Sequence, residues 1–180
     1  MNGAKRNIFL IGPTGSGKTA VGRQLARDTG LRFLDSDHEI EKRTGVEIGY
    51  IFEKEGEPGF RERESEMLRE LSELSGVVLA TGGGAILAPA NRALLAANGV
   101  VVYLQTSVTE QLKRTGRSKK RPLLNGKNPR EVLEHMAAVR TPLYTEIADL
   151  VVDTTNQRVR SVARKVEELL RDKALLPLQN

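Results

Sequence analysis

The chain is 180 residues long, a length that favours one domain with a sizeable core. With 39% hydrophobic and 28% charged residues, no cysteine and two histidines, it argues against disulfide frameworks, thiol nucleophiles and Cys- or His-rich metal sites. The net charge of +5 calls for an anionic partner, either nucleic acid or small phosphates and carboxylates, and 4% aromatic residues are too few for base-stacking platforms.

After Lys5 and Arg6 the first apolar run is only Ile8 to Ile11. That is too short for a signal peptide, and no stretch reaches membrane-spanning length, so a cytosolic protein is expected. Residues 7–11 read as the first strand and 18–29 as the first helix, with Gly30 as its stop. Between them, GPTGSGKT at 12–19 fills every fixed position of G-x-x-x-x-G-K-[ST] in the strand-to-helix context that motif requires. Its glycines let backbone N–H groups converge on phosphate oxygens at a helix N-terminus. Lys18 can reach the β and γ phosphates, and Thr19 can offer its hydroxyl to magnesium.

A second strand at 32–34 runs into LDSDHEIE. Asp35 and Asp37 stand two apart on an extended segment, so their carboxylates point the same way, at the sheet edge where ligands gather. One can support a hydrated magnesium ion and the other can accept the proton of an attacking hydroxyl. The plainer reading is that Ser36 or Asp37 only caps the helix at 37–44. The next helix is expected at 58–74, with Phe60, Arg61 and Glu64 of GEPGFRERE at its start. Arg61 and Glu64 are neighbours on one helix face, either a surface pair worth about 0.3 kcal/mol or a carboxylate fixing a guanidinium for a ligand.

The strand at 77–80 ends in Thr81 and then Gly82, Gly83 and Gly84, with no carboxylate. Such a triplet either brings main-chain N–H groups close to a ligand or forms a tight turn. A helix at 89–98, a strand at 100–104 and a helix at 108–115 follow. Residues 116–128, GRSKKRPLLNGKN, form a basic connector long enough to be a lid, with Arg121 placed to offset charge on a transferring phosphoryl group. The helix at 129–147 carries Arg140, and a strand at 150–152 and a helix at 159–172 close the pattern. Short apolar strands alternating with helices predict an α/β fold, a five-stranded parallel sheet with helices on both faces. With no repeat or linker, residues 1–180 read as a single domain.

Taken in order, GPTGSGKT, DSDHEIE, GEPGFRERE, TGGGAI, RPLL and RTPLY resemble the shikimate kinases from residue 8 to about 158. The resemblance implies a P-loop kinase fold with an acceptor-binding insertion at about 37–64 and a mobile lid at about 116–128. It implies transfer of the ATP γ-phosphoryl to the 3-hydroxyl of shikimate, a step towards chorismate and the aromatic amino acids. The catalytic residues are then Asp37, Lys18 and Arg121. ATP is bound by Gly15, Ser16, Gly17, Lys18, Thr19, Ala20, Arg114, Arg121 and Gln157. Shikimate is bound by Asp37, Arg61, Gly82, Gly83, Gly84, Arg140, Phe52 and Phe60, and Mg2+ by Thr19 and Asp35. The expected state is a monomer that binds shikimate and ATP, with no nucleic-acid or membrane partner. Rival readings are a kinase for another polyol acid such as gluconate, an adenylate kinase-like enzyme, and a metabolite sensor without turnover. The FRxxE and RTPLY elements favour shikimate over gluconate, and an intact Lys18, Asp37 and Arg121 favour turnover.

Overall fold

The computed structural model describes residues 7–115 and 128–175. All but the last residue of the expected lid, Arg121 included, lies outside this set.

The elements in chain order are β1 (Ile8–Ile11), α1 (Lys18–Thr29), β2 (Arg32–Asp35), α2 (Ser36–Thr44), α3 (Ile48–Ser72), β3 (Val77–Ala80), α4 (Pro89–Asn98), β4 (Val100–Gln105), α5 (Val108–Thr115), α6 (Pro129–Ile147), β5 (Leu150–Asp153) and α7 (Val159–Asp172). One 3-10 turn, Ala85–Leu87, precedes α4. The strands lie in the order β2-β3-β1-β4-β5, and every pairing is parallel. Composition follows position in that order. Central β1 is apolar and buried at all four residues because helices cover both its faces. Outer strands β2 and β5 keep Arg32, Val151 and Asp153 exposed.

The pleat of β1 divides the core. Phe9 and Ile11 join Phe60, Leu68, Leu95 and Tyr144 from α3, α4 and α6. Ile8 and Leu10 join Val21, Leu25, Val162 and Val166 from α1 and α7 on the other face. Asn7 staples the amino edge of the sheet: Nδ2 donates to the carbonyls of Leu74 at 2.6 Å and Asn98 at 3.3 Å, and Oδ1 accepts from Val77 N–H at 3.2 Å.

Helix α3 departs from the sequence expectation. It begins at Ile48, not Pro58, and consists of two helical stretches joined at Gly56, where φ is 70° and ψ −179°. Only glycine takes that conformation without strain. Ile48, Ile51 and Phe52 carry the first stretch into the core. Across the bend, Arg63 grips both oxygens of Glu55, at 2.8 and 2.7 Å.

Because every strand runs the same way, the opposite edge collects all the carboxyl-end loops. These are the glycine loop after β1, Asp35 to Asp37 at the end of β2, the glycine triplet after β3, residues 106–107 after β4 and residues 154–158 after β5. No described helix is long and apolar enough to cross a membrane.

Candidate active site

The loop between β1 and α1 closes on itself before any ligand arrives. Ser16 N–H donates to Pro13 O at 3.1 Å, and Lys18 Nζ donates to Gly12 O at 2.7 Å and Pro13 O at 2.9 Å. The lysine ammonium is therefore held by its own loop at the N-terminus of α1, where backbone amides and the helix dipole favour an anion. Beside the loop, a cleft of about 280 Å³ is lined by Lys18, Thr19, Asp35, Asp37, Gly82 and Gly83, among others. The sequence-predicted phosphate, metal and acceptor residues thus share one space.

Asp35 and Asp37 have different jobs. Asp35, rather than Ser36 or Asp37, is the cap of α2: its Oδ1 accepts from the N–H groups of Asp37 and His38 at 3.1 and 3.3 Å. Its Oδ2 accepts from the Thr19 hydroxyl at 2.7 Å. That pair of hard oxygen donors suits magnesium, which keeps much of its water and takes few protein ligands. The described residues contain no group of three or more His, Cys, Asp or Glu that could hold a metal ion.

The residue Asp37 keeps part of its surface open to the cleft, but its Oδ1 is enclosed and has no hydrogen-bond partner among the described residues. Burial, first, then the Glu64 and Asp35 carboxylates, push its carboxyl from the ordinary 3.8 up to about 7, against the pull of Lys18. Such a group sits near the proton affinity a general base needs at neutral pH.

Three consecutive glycines make room for three different neighbours. A Cβ on Gly82 would stand 2.5 Å from Glu64 Oε1 and 2.9 Å from Asp37 Oδ1. On Gly83 it would press on the phosphate loop, 3.3 Å from Thr14 N. On Gly84 it would fall into the Arg61 guanidinium, 2.6 Å from Cζ. The acid, the phosphate loop and the arginine therefore meet at this triplet. Its backbone is partly committed: Gly82 N–H donates to Ser36 Oγ at 3.2 Å, and Gly82 O accepts from Ala85 N–H at 3.1 Å. The Tyr144 hydroxyl donates to Gly83 O at 2.5 Å. The Gly83 and Gly84 amides make no hydrogen bond among the described residues and remain as donors.

Arg61 is fixed from two sides, by Glu64 Oε2 at 2.7 Å and by Glu57 Oε1 at 3.0 Å. The Glu64 side chain is only 1% exposed, which removes it from the class of solvated surface pairs. Burial raises the Glu64 carboxyl, and both Arg61 and Arg140 pull it back down. Arg140, half-buried on α6, thus faces the same carboxylate as Arg61 on α3. Two guanidinium groups, one from α3 and one from α6, thus act on one buried carboxylate, and guanidinium groups are suited to a planar carboxylate ligand. Phe52 and Phe60 lie tilted against each other with centroids 4.7 Å apart, and Arg61 lies over Phe60 at 5.3 Å. Phe60 is also a core residue, 4% exposed, so its ring is fixed in place.

On the far side of the loop, Arg114 joins two segments. It donates to Gly15 O at 3.1 Å and to Thr154 O at 2.7 Å, while Glu110 steadies its Nε at 3.0 Å. Gln157 lies exposed in the 154–158 turn, its amide donating to Asp153 O at 2.8 Å. Sequence reasoning missed Ser36, Thr14 and Tyr144 as parts of the site. For Tyr144 a signal existed: it stands four residues after Arg140, on the same face of one helix.

Known proteins share this chain's sequence pattern and fold. The shikimate kinase family model matches residues 14–171. A shikimate kinase of Actinobacillus pleuropneumoniae is 54% identical over 92% of this chain and 96% of its own length, and shikimate kinase 1 of an Enterobacter species is 54% identical with the same coverage. The shikimate kinase of Acinetobacter baumannii, solved in complex with shikimate, superposes with a TM-score of 0.92 at 50% identity, over 93% of this chain and 94% of that one. The Aquifex aeolicus shikimate kinase gives 0.80 at 32% identity, over 94% and 98% of the two chains. With its sheet order, its phosphate loop and its paired arginines in place, the chain belongs to the shikimate kinase family.

Proposed function

We propose that the protein transfers the γ-phosphoryl group of ATP to the 3-hydroxyl of shikimate, giving shikimate 3-phosphate and ADP. One observation carries the reading: the Asp37 carboxyl, the phosphate loop and the Arg61 guanidinium all abut the same glycine triplet. Arg61 and Arg140 hold the ring carboxylate, and the Gly83 and Gly84 amides donate to the ligand beside it. Phe52 and Phe60 wall the ring. Asp37 orients the attacking hydroxyl and takes its proton. Lys18 leaves the Gly12 and Pro13 carbonyls for the terminal phosphates of the nucleotide, which the amides of residues 15–20 cradle. Thr19 and Asp35 would hold Mg2+, which would supply charge compensation to the phosphates. Arg114 and Gln157 border the base. Arg121, carried over from the family resemblance, contacts the phosphates from the lid.

The transition state of phosphoryl transfer is loose, so positioning and charge compensation supply most of the rate. The chain acts as a monomer on two small molecules in the cytosol. ADP release measured with and without shikimate, and with gluconate as the competing polyol acid, tests the reading. Release that depends on shikimate and ignores gluconate is the expected result. Equal release with both acids, or release indifferent to either, overturns it.

A further inference from the structure

The role of Tyr144 is not exhausted by its burial. Its ring is 1% exposed and stacks on Tyr103, with centroids 4.9 Å apart and planes at 24°. Packing alone would be served by phenylalanine. The hydroxyl instead crosses from α6 to the acceptor loop and donates to Gly83 O at 2.5 Å, while the Arg140 guanidinium interacts with the Tyr144 hydroxyl itself.

The direction of that bond matters. No peptide in the described residues is cis. In a trans peptide the carbonyl of one residue and the N–H of the next point to opposite sides of a rigid plane. Holding Gly83 O against α6 therefore aims the Gly84 N–H away from α6. Gly84 is the residue against which the Arg61 guanidinium lies. The preceding plane is fixed in the same manner, by Ala85 N–H on Gly82 O. Glycine has the widest backbone freedom of any residue, so three in a row hold one orientation only if outside groups impose it.

We propose that Tyr144 is a positioning residue for the acceptor: through its hydroxyl it sets the Gly83–Gly84 peptide plane and braces Arg140, so that a backbone donor and both arginines converge on the ligand carboxylate. This role rests on the kinase reading above and adds a residue to it. Tyr103 supplies an internal control. Its hydroxyl is influenced by Thr141, it makes no hydrogen bond to Gly83, whose carbonyl accepts from Tyr144, and its ring belongs to the same stack.

The experiment compares wild type, Tyr144→Phe and Tyr103→Phe for KM, kcat, melting temperature and calorimetric binding of shikimate without nucleotide. Tyr144→Phe is expected to raise KM and Kd for shikimate about 5- to 20-fold, the worth of one aligned hydrogen bond and its knock-on contacts. Its kcat and its KM for ATP stay within about twofold. Tyr103→Phe is expected to lose a comparable amount of thermal stability and to leave shikimate binding unchanged. An unchanged shikimate Kd in Tyr144→Phe, or an equal rise in Tyr103→Phe, overturns the role. A wild-type protein that ignores shikimate overturns the kinase reading and this role with it, and the wild-type arm separates that failure from the failure of the role alone.

Discussion

The Asp37 carboxyl is the group in this site pushed up to about 7. Asp37 holds its proton up to about pH 7 when folded, against 3.8 as an ordinary side chain, chiefly because burial disfavours its charge. Between those values the folded protein binds a proton that the unfolded chain has released. The stability from this group is therefore fully present below about 3.8 and is lost as pH rises through about 7. Above that point its buried charge opposes folding by on the order of 2–3 kcal/mol, allowing for the open side of the cleft. Asp37→Asn is expected to melt higher than wild type at pH 8 in ligand-free buffer, with the gap closing towards pH 5. The same substitution lowers turnover by about 100-fold or more while ATP affinity is kept, since a positioned base contributes that much. A pH-independent gap contradicts the burial account, and full turnover removes Asp37 from the chemistry. Asp35 and Asp37 do line one cleft, as expected, but not by extended two-residue spacing: Asp35 caps α2 and Asp37 lies in its first turn. Their division of labour was not legible in the sequence, because it depends on Thr19 and two backbone amides reaching Asp35 first.

At the level of elements, the strands were the easiest part to read. Runs such as IFLI and VVLA have no alternation because both faces of the sheet are covered. Helix α3 was harder. Gly56 and Pro58 together look like a boundary, and the residues before them carry only Ile48, Ile51 and Phe52 as an apolar face. The structure keeps both stretches and bends between them, with Glu55 and Arg63 bridging the bend. Gly56→Ala is expected to cost about 1–3 kcal/mol in a urea titration, because alanine is strained at φ 70° and ψ −179°. A change below about 0.5 kcal/mol would mean that the bend relaxes freely. The glycine triplet was legible as a close approach, but its three separate neighbours were not. They come from α2, α3 and the phosphate loop, which only the folded sheet brings together.

Across the whole molecule, function rests on placing two loads on opposite walls of one edge. In the proposed reading, the nucleotide side is built by β1, α1 and the turn after β5, and the acceptor side by α2, α3, the triplet and α6. Arg61 and Arg140 arrive from different helices, so neither can be replaced by the other. Arg61→Lys and Arg140→Lys each lose the planar fork, and each is expected to weaken shikimate binding by about 2–5 kcal/mol at most, read chiefly in KM. Unchanged KM in either variant removes that arginine from the clamp. The most direct test of the account is a crystal structure of this protein with shikimate and ADP. The account predicts the ring carboxylate between Arg61 and Arg140, with the 3-hydroxyl within hydrogen-bonding distance of Asp37 and facing the nucleotide. A ring turned so that its carboxylate meets Lys18, or Asp37 found on the side remote from both arginines, would contradict it.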